Sequence, residues 1–367
     1  MRKSEFIDRL HSNKLSRRDF NRALAAAGLA LTTMPLGRKA FAEDQAIYFT
    51  WAGYDDPGFF PAYVKKHGAN PEMPVFADSE EARTKVQSGF VVDVDHPCST
   101  DVKRWRDADL IQPIDTSRLS NWGDVFPQLK TLQYITEGDK QFFIPIDWGN
   151  TSILYRPDLV DIKEESWTLL WDERYKGKLS IGADGTETVP IAGVVAGVKD
   201  PFNMTDEELE TVKQLLIKQK PLLRFYWDSN AAVEQALASG ELVASTGWNS
   251  SVVTLLGQGV PVKFMNPKEG IESYCCGLVL TKNAPHIDAA YDLIDAMLAP
   301  EAGLWLIDKQ GYGHSNMKSF ELAGDALLKE RNLPKDPNVF FKNSVFQQYI
   351  PNTDKVQKMF EEVKAGA

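Results

Sequence analysis

Three cysteines in 367 residues exclude a disulfide-dense scaffold. No apolar run approaches the ~20 residues that a bilayer-spanning helix needs. A basic excess is missing too: 41 Lys and Arg stand against 51 Asp and Glu, a formal net charge of −10. Nucleic-acid binding leaves a basic stripe, so that class of partner is set aside. The motifs of covalent, metal and nucleotide chemistry are also absent. There is no G-x-S-x-G elbow, P-loop, H-E-x-x-H, G-x-G-x-x-G or C-x-x-C. The five histidines are scattered, and no pair has zinc-ligand spacing. His96, between Asp95 and Pro97 at a strand end, reads as a hydrogen-bonded loop residue rather than a base. No catalytic residue, metal site or cofactor is therefore expected.

The charge that is present is unevenly placed. Residues 1–42 hold nine Lys or Arg against three acids. They include Ser16-Arg17-Arg18-Asp19-Phe20, then a modestly apolar stretch over 23–35, then Ala40-Phe41-Ala42, a small-x-small cleavage site. Motif, apolar stretch and cleavage site in this order read as a twin-arginine export signal carried by Arg17 and Arg18 and cleaved after Ala42. Removing it leaves 32 basic and 48 acidic residues, a net charge of −16. The mature protein is expected in the periplasm, an oxidising compartment.

Beyond the signal, short β-branched or aromatic runs alternate with longer amphipathic ones. Strands are expected over 47–51, 90–94, 178–181, 242–246 and 277–280. Helices are expected over 59–66, 100–108, 205–218, 230–239, 287–298 and 354–363. This alternation implies an α/β fold of largely parallel sheets with helices on both faces. The mature length asks for two lobes, and no long Pro/Gly/Ser linker separates them, so the chain is expected to cross between lobes more than once. Ligands in such folds sit outside the carboxyl ends of the strands.

Those ends carry aromatics and acids. Trp51-Ala52-Gly53-Tyr54 follows the first strand, Asp184-Gly185-Thr186-Glu187 the strand at 178–181, and Trp248-Asn249-Ser250 the strand at 242–246. Asp147-Trp148-Gly149-Asn150 lies between two apolar runs. Trp105, Trp167, Trp171 and Trp305 read as core. A cation over a Trp or Tyr face gains roughly 0.5–2 kcal/mol. Carboxylates accept charge-assisted hydrogen bonds from ammonium groups, and aromatic walls bury methylenes. An organic amine is the ligand this chemistry suits.

With Trp51-x-x-Tyr54, Ser166-Trp167, Trp171, Tyr175-Lys176-Gly177, Asp184-x-x-Glu187, Trp248-Asn249-Ser250, Pro267-Lys268-Glu269-Gly270 and Gly311-Tyr312, residues 47–366 resemble the spermidine/putrescine-type periplasmic solute-binding proteins of bacterial ABC importers. The resemblance implies a two-lobed periplasmic-binding-protein fold (type II), with ligand in the inter-lobe cleft and hinge closure. It implies a non-enzymatic, monomeric receptor that hands a small cationic or zwitterionic amine to an inner-membrane ABC permease. Lobe 1 is expected over 43–148 plus 275–320, and lobe 2 over 149–274 plus 321–367. Residues matching Trp51, Tyr54, Trp248, Tyr274 and Tyr312 box the aliphatic chain. Those matching Asp184 and Glu187 bind ammonium groups. Gln347 is the best match to a further contact, with Gln348 the neighbouring register, and Cys98, Ser99 and Thr100 occupy a short polar ligand loop.

Two departures from the family pattern stand out. Position 276 is a cysteine where an acid is usual, and there is no second aromatic near Thr100. One carboxylate fewer for a terminal ammonium turns attention to putrescine, or to a small amino-carboxylate such as γ-aminobutyrate. A hydrolase or lyase using Asp184 and Glu187 as an acid/base pair is the alternative of another class. Cys98, Cys275 and Cys276 all fall in the implied ligand-lining segments. They are either small, partly buried thiols or include one disulfide from Cys98 to Cys275 or Cys276.

Overall fold

The structure, a computed structural model, describes residues 45–76 and 79–366. The export-signal residues Arg17, Arg18 and Ala42 lie outside the described residues. Ala46–Ala367 form one compact unit.

In chain order the strands are β1 (Tyr48–Trp51), β2 (Val75–Phe76), β3 (Val94–Asp95), β4 (Ile111–Gln112), β5 (Thr136–Glu137), β6 (Lys140–Gln141) and β7 (Ile144–Tyr155), followed by β8 (Leu179–Gly182), β9 (Leu223–Trp227), β10 (Ala244–Trp248), β11 (Lys263–Phe264), β12 (Glu272–Thr281), β13 (Gly313–His314) and β14 (Val345–Phe346). All but the β5–β6 hairpin join one sheet with the order β2-β1-β3-β12-β7-β10-β8-β9. The outer triplets are parallel, β2-β1-β3 on one side and β10-β8-β9 on the other. Between them the long strands β12 and β7 run antiparallel to each other and to their outer neighbours. Each triplet follows a parallel, helix-connected order, so its carboxyl ends form a crevice.

The helices are α1 (Pro61–His67), α2 (Ser79–Gln87), α3 (Val102–Asp107), α4 (Gly185–Val195), α5 (Asp206–Gln219) and α6 (Asn230–Ser239), then α7 (Asn249–Gly257), α8 (Ile287–Met297), α9 (Pro300–Gln310), α10 (Met317–Glu330), α11 (Pro337–Asn343) and α12 (Thr353–Ala365). Local chemistry sets several boundaries. Asp184 caps α4 by accepting from the Thr186 backbone N–H at 2.8 Å. Thr205 and Glu208 close a reciprocal capping box at the start of α5. Gly311 ends α9 in the left-handed conformation at φ 71°. α9 was missed by the sequence pattern, since its apolar positions are interrupted by Gly303.

Burial gathers in four clusters that fall into neighbouring pairs, with Trp248 packed against a member of each pair. One pair unites Tyr48, Phe49, Phe59, Trp105, Leu278, Leu306 and Phe320 with their neighbours. The other gathers Ile153, Trp167, Leu179, Leu216, Leu237 and Phe360. Trp105 and Trp167 are buried as expected, whereas Trp171 and Trp305 are only partly so.

The central correction concerns residues 147–150. They do not separate two apolar runs but lie in the middle of β7, whose twelve residues are all buried. A strand covered on both faces loses the alternating pattern that reveals half-buried strands. Among its polar members, Asp147, Asn150 and Ser152 are tolerated because they are bonded. Asn150 donates its backbone N–H to Asn249 Oδ1 at 2.7 Å and accepts from Ser273 Oγ at 2.8 Å. The expected strand at 90–94 is also reduced, to β3 alone, and residues 90–91 are exposed.

Candidate functional site

One face of the β7–β12 ladder organises the site. Cross-strand partners share a face, and along a strand every second residue returns to it. Glu272 pairs with Thr151, Tyr274 with Gly149, and Cys276 with Asp147. Trp248 on β10 pairs with Thr151 from the other side. Four chemically distinct side chains, Glu272, Tyr274, Cys276 and Asp147, are thereby set on one surface, with Trp248 at its edge.

Gly149 is required by this packing. A Cβ there would lie 2.5 Å from the Tyr274 hydroxyl and 3.0 Å from Cδ1 of Tyr312. The two tyrosine rings cross edge-on over it, with centroids 6.4 Å apart and planes at 67°. Tyr312 reaches across to Ser250 at the start of α7, hydroxyl to hydroxyl at 3.0 Å. Burial lifts the Tyr312 phenol to about 12, so it stays neutral and able to donate.

At the Asp147 end a buried network forms. Asp147 accepts from the Tyr54 hydroxyl at 2.7 Å and lies 3.0 Å from His96 Nε2. The other ring nitrogen of His96 lies 2.9 Å from the Tyr48 hydroxyl and 3.0 Å from that of Thr50. His96 is thus fully engaged as a structural residue. Trp51 donates its indole N–H to the His96 carbonyl at 2.8 Å and packs edge-on against Phe76. Cys98 and Cys276 form a disulfide, and Cys275 is a free, buried thiol. This overturns the reading of three free thiols and selects Cys276 over Cys275. Ser99 is buried beside the bond and donates its backbone N–H to the Cys275 carbonyl at 2.8 Å.

At the other end lie the acids. Asp184 and Glu187 sit on the first turn of α4. Asp184 Oδ1 is already used, accepting from Thr186 and from Gln357 Nε2 at 2.9 Å. Glu187 accepts from the Trp248 indole N–H at 3.2 Å. Trp248 itself packs edge-on against Trp227 at 5.4 Å. Burial, with help from the Asp184 charge, pushes the Glu187 carboxyl up to about 7, while Trp248 and Thr151 pull the other way. Asp101, on the far side, is pushed to about 6 mainly by burial, and it senses Asp184. Gln347 follows β14 and donates its backbone N–H to the Ser273 carbonyl at 2.8 Å, next to Glu272. Gln348 is exposed.

The sequence-expected residues therefore fall into two connected groups, Trp51, Tyr54, Cys98, Ser99 and Cys276 around Asp147, and Asp184, Glu187, Trp248 and Gln347 around Glu272. Tyr274 and Tyr312 span the distance between the groups. Glu272 was not singled out beforehand, whereas Asp147 was named only as part of the segment 147–150. A lone glutamate opening an apolar run, as in Glu272-Ser273-Tyr274-Cys275-Cys276, is the signal available for the first. None of Asp147, Glu187 and Glu272 is ion-paired to Lys or Arg among the described residues. The surface is one of uncompensated acids and aromatic rings. Among those residues no helix is long and apolar enough to cross a membrane.

Comparison with known proteins gives concordant matches. The family model for bacterial extracellular solute-binding protein matches residues 38–338. The spermidine/putrescine-binding periplasmic protein of Escherichia coli is 27% identical over 355 residues, covering 95% of this chain and 99% of that one. The putrescine/agmatine-binding protein of Pseudomonas aeruginosa is 26% identical over 351 residues, covering 90% and 92%. Among solved structures, the spermidine/putrescine ABC transporter substrate-binding protein of Streptococcus pneumoniae superposes with a TM-score of 0.76 at 21% identity, covering 88% of this chain and 99% of that one. The fold is that of the periplasmic binding proteins.

Proposed function

From membership of the bacterial extracellular solute-binding protein family, to which this chain belongs, we propose that it is the periplasmic receptor of an ABC importer, capturing a putrescine- or spermidine-like amine and passing it to a membrane permease. The observation that carries this reading is the surface of aromatic rings and carboxylates without Lys or Arg partners that the β7–β12 ladder and the neighbouring strand ends bring together. Tyr274, Tyr312, Trp51, Tyr54 and Trp248 are assigned to the hydrocarbon, Asp184, Glu187 and Gln347 to the ammonium groups, and Ser99 with the disulfide to the wall. The γ-aminobutyrate alternative is disfavoured by both the relatives and the charge. A ligand carboxylate would face Glu187 and Glu272 with no described cation beside them. A hydrolase reading has less support, because Glu187 is engaged by an indole donor and no nucleophile accompanies it.

Isothermal titration tests the assignment. Mature protein is expected to take up putrescine or spermidine and to give no heat with γ-aminobutyrate. Glu187→Ala should weaken amine binding by ~1.5–3 kcal/mol, the scale of a hydrogen bond to a charged group. No heat with any of the three ligands would refute the reading.

The same proposal includes a monomer, the two lobes with the boundaries given above, and export by the twin-arginine route with cleavage after Ala42. Replacing both Arg17 and Arg18 by lysine should hold the protein in the cytoplasm as precursor. Its undiminished appearance in the periplasm would point to another route.

A further inference from the structure

Glu272 is anomalous for a structural residue. It is 2% exposed, yet neither of its carboxyl oxygens has a well-formed hydrogen bond within the protein, and the Gln347 side chain is the one neutral polar group close enough to favour its charge. Its strand neighbours are Thr151 and Val345, and neither is charged. Burying a carboxyl without partners costs stability that an apolar side chain of the same size would not. The row Trp248–Thr151–Glu272 aims it at the surface where the Trp248 indole already holds Glu187. The ionisable groups acting on it are Glu187 and Asp184, both acids. Burial raises its pKa well above the ordinary carboxylate range and Glu187 raises it further, against a smaller opposing influence from Gln347. Two rows along the same face the situation is reversed. Cys276 is spent in the disulfide, and Asp147 is occupied by Tyr54 and His96.

We propose that Glu272 is a ligand-contacting carboxylate, forming with Glu187 the end of the site that receives a protonated amine. One ammonium group of the ligand lies at Glu272 and Glu187, and the hydrocarbon next to it crosses Tyr274 and Tyr312. This rests on the amine-receptor reading. Burial and the Glu187 charge favour the protonated form of Glu272, whereas an ammonium favours the carboxylate, so binding draws its proton toward the buffer and the carboxylate accepts N–H from the ammonium.

The experiment is titration of wild type and Glu272→Gln with putrescine and spermidine at pH 7, in buffers of different ionisation enthalpy. Wild type should release protons on binding. Glu272→Gln should lose about 10- to 100-fold in affinity and release fewer protons, with a thermal midpoint no lower than wild type. Affinity within twofold of wild type together with unchanged proton release overturns the assignment and leaves the receptor reading standing. A wild type that binds neither amine overturns both. If Glu272→Gln does not fold, Glu187→Gln is titrated instead. Proton release persisting there supports Glu272, and its complete loss counts against it.

Discussion

Cys98→Ser should lower the unfolding free energy by about 3–5 kcal/mol, one of the largest single-site effects expected in this chain. The Cys98–Cys276 bond joins residues 178 apart in sequence. On the chain-entropy account, a closed loop of that length is worth about 5 kcal/mol, and native disulfides commonly deliver 2–5. The substitution also leaves Cys276 as an unpaired thiol on the face it shares with Glu272 and Tyr274, so packing gains nothing in return. Two backbone bonds keep the loop partly in place, from Ser99 N–H to the Cys275 carbonyl at 2.8 Å and from Gly277 N–H to the Pro97 carbonyl at 3.0 Å. The loss should therefore appear mainly in global stability, as roughly 4–7 °C in Tm for a protein of this size. Urea denaturation of the oxidised wild type, the reduced wild type and Cys98→Ser measures it. Equal midpoints for all three would show that the bond does not constrain the unfolded chain.

The partner of Cys98 illustrates what could and could not be read from the residues alone. Period-two alternation means that only one of two adjacent cysteines points toward a given loop. Which one does so depends on the register of β12 against β7, a long-range pairing with no local signature. The same applies to Glu272. Its residue type was visible, but its place beside Glu187 follows from a row across three strands, β10, β7 and β12, whose members Thr151 and Glu272 are 121 positions apart in the chain. Trp51 and Trp248 were legible because Pro-Gly and helix-start signals mark where their strands end. The pair Asp184 and Glu187 was legible because residues three apart after a strand can face one side, as they do at the start of α4. β7 was not, because burial on both faces erases alternation and its polar residues resemble a loop. Local chemistry thus marked the strand ends, and sheet register decided which of their side chains share a face.

Acidic groups held at raised pKa give the protein two opposite responses to pH. Glu187 titrates at about 7 against 4.5 when unperturbed. Between those values the unfolded chain has lost the proton and the folded chain keeps it. Stability from this group therefore falls as pH rises, by about 3 kcal/mol in total, and the loss is complete somewhat above pH 7. Glu272 and Asp101 are shifted in the same direction. His314, pushed down to about 4 by burial, acts with the opposite sign, adding stability as pH rises from about 4 to its unperturbed 6.5. The stability of wild type relative to Glu187→Gln isolates the carboxylate from the histidine. That difference should shift by about 3 kcal/mol against wild type between pH 4.5 and pH 8. Amine affinity should run the other way. An ammonium binds the ionised carboxylate, so through Glu187 alone each unit of acidification below pH 7 costs about tenfold and affinity rises about 100-fold from pH 5 to pH 8, with Glu272 adding to the rise in the same direction. A ligand-free protein that is weakest where its ligand binds best gains most from the ligand at pH 8. Thermal shifts with saturating putrescine at pH 5.5 and pH 8 test this coupling. A ligand-induced shift as large at pH 5.5 as at pH 8 would mean that Glu187 is already ionised in the free protein, and the assignment of its raised pKa would fail.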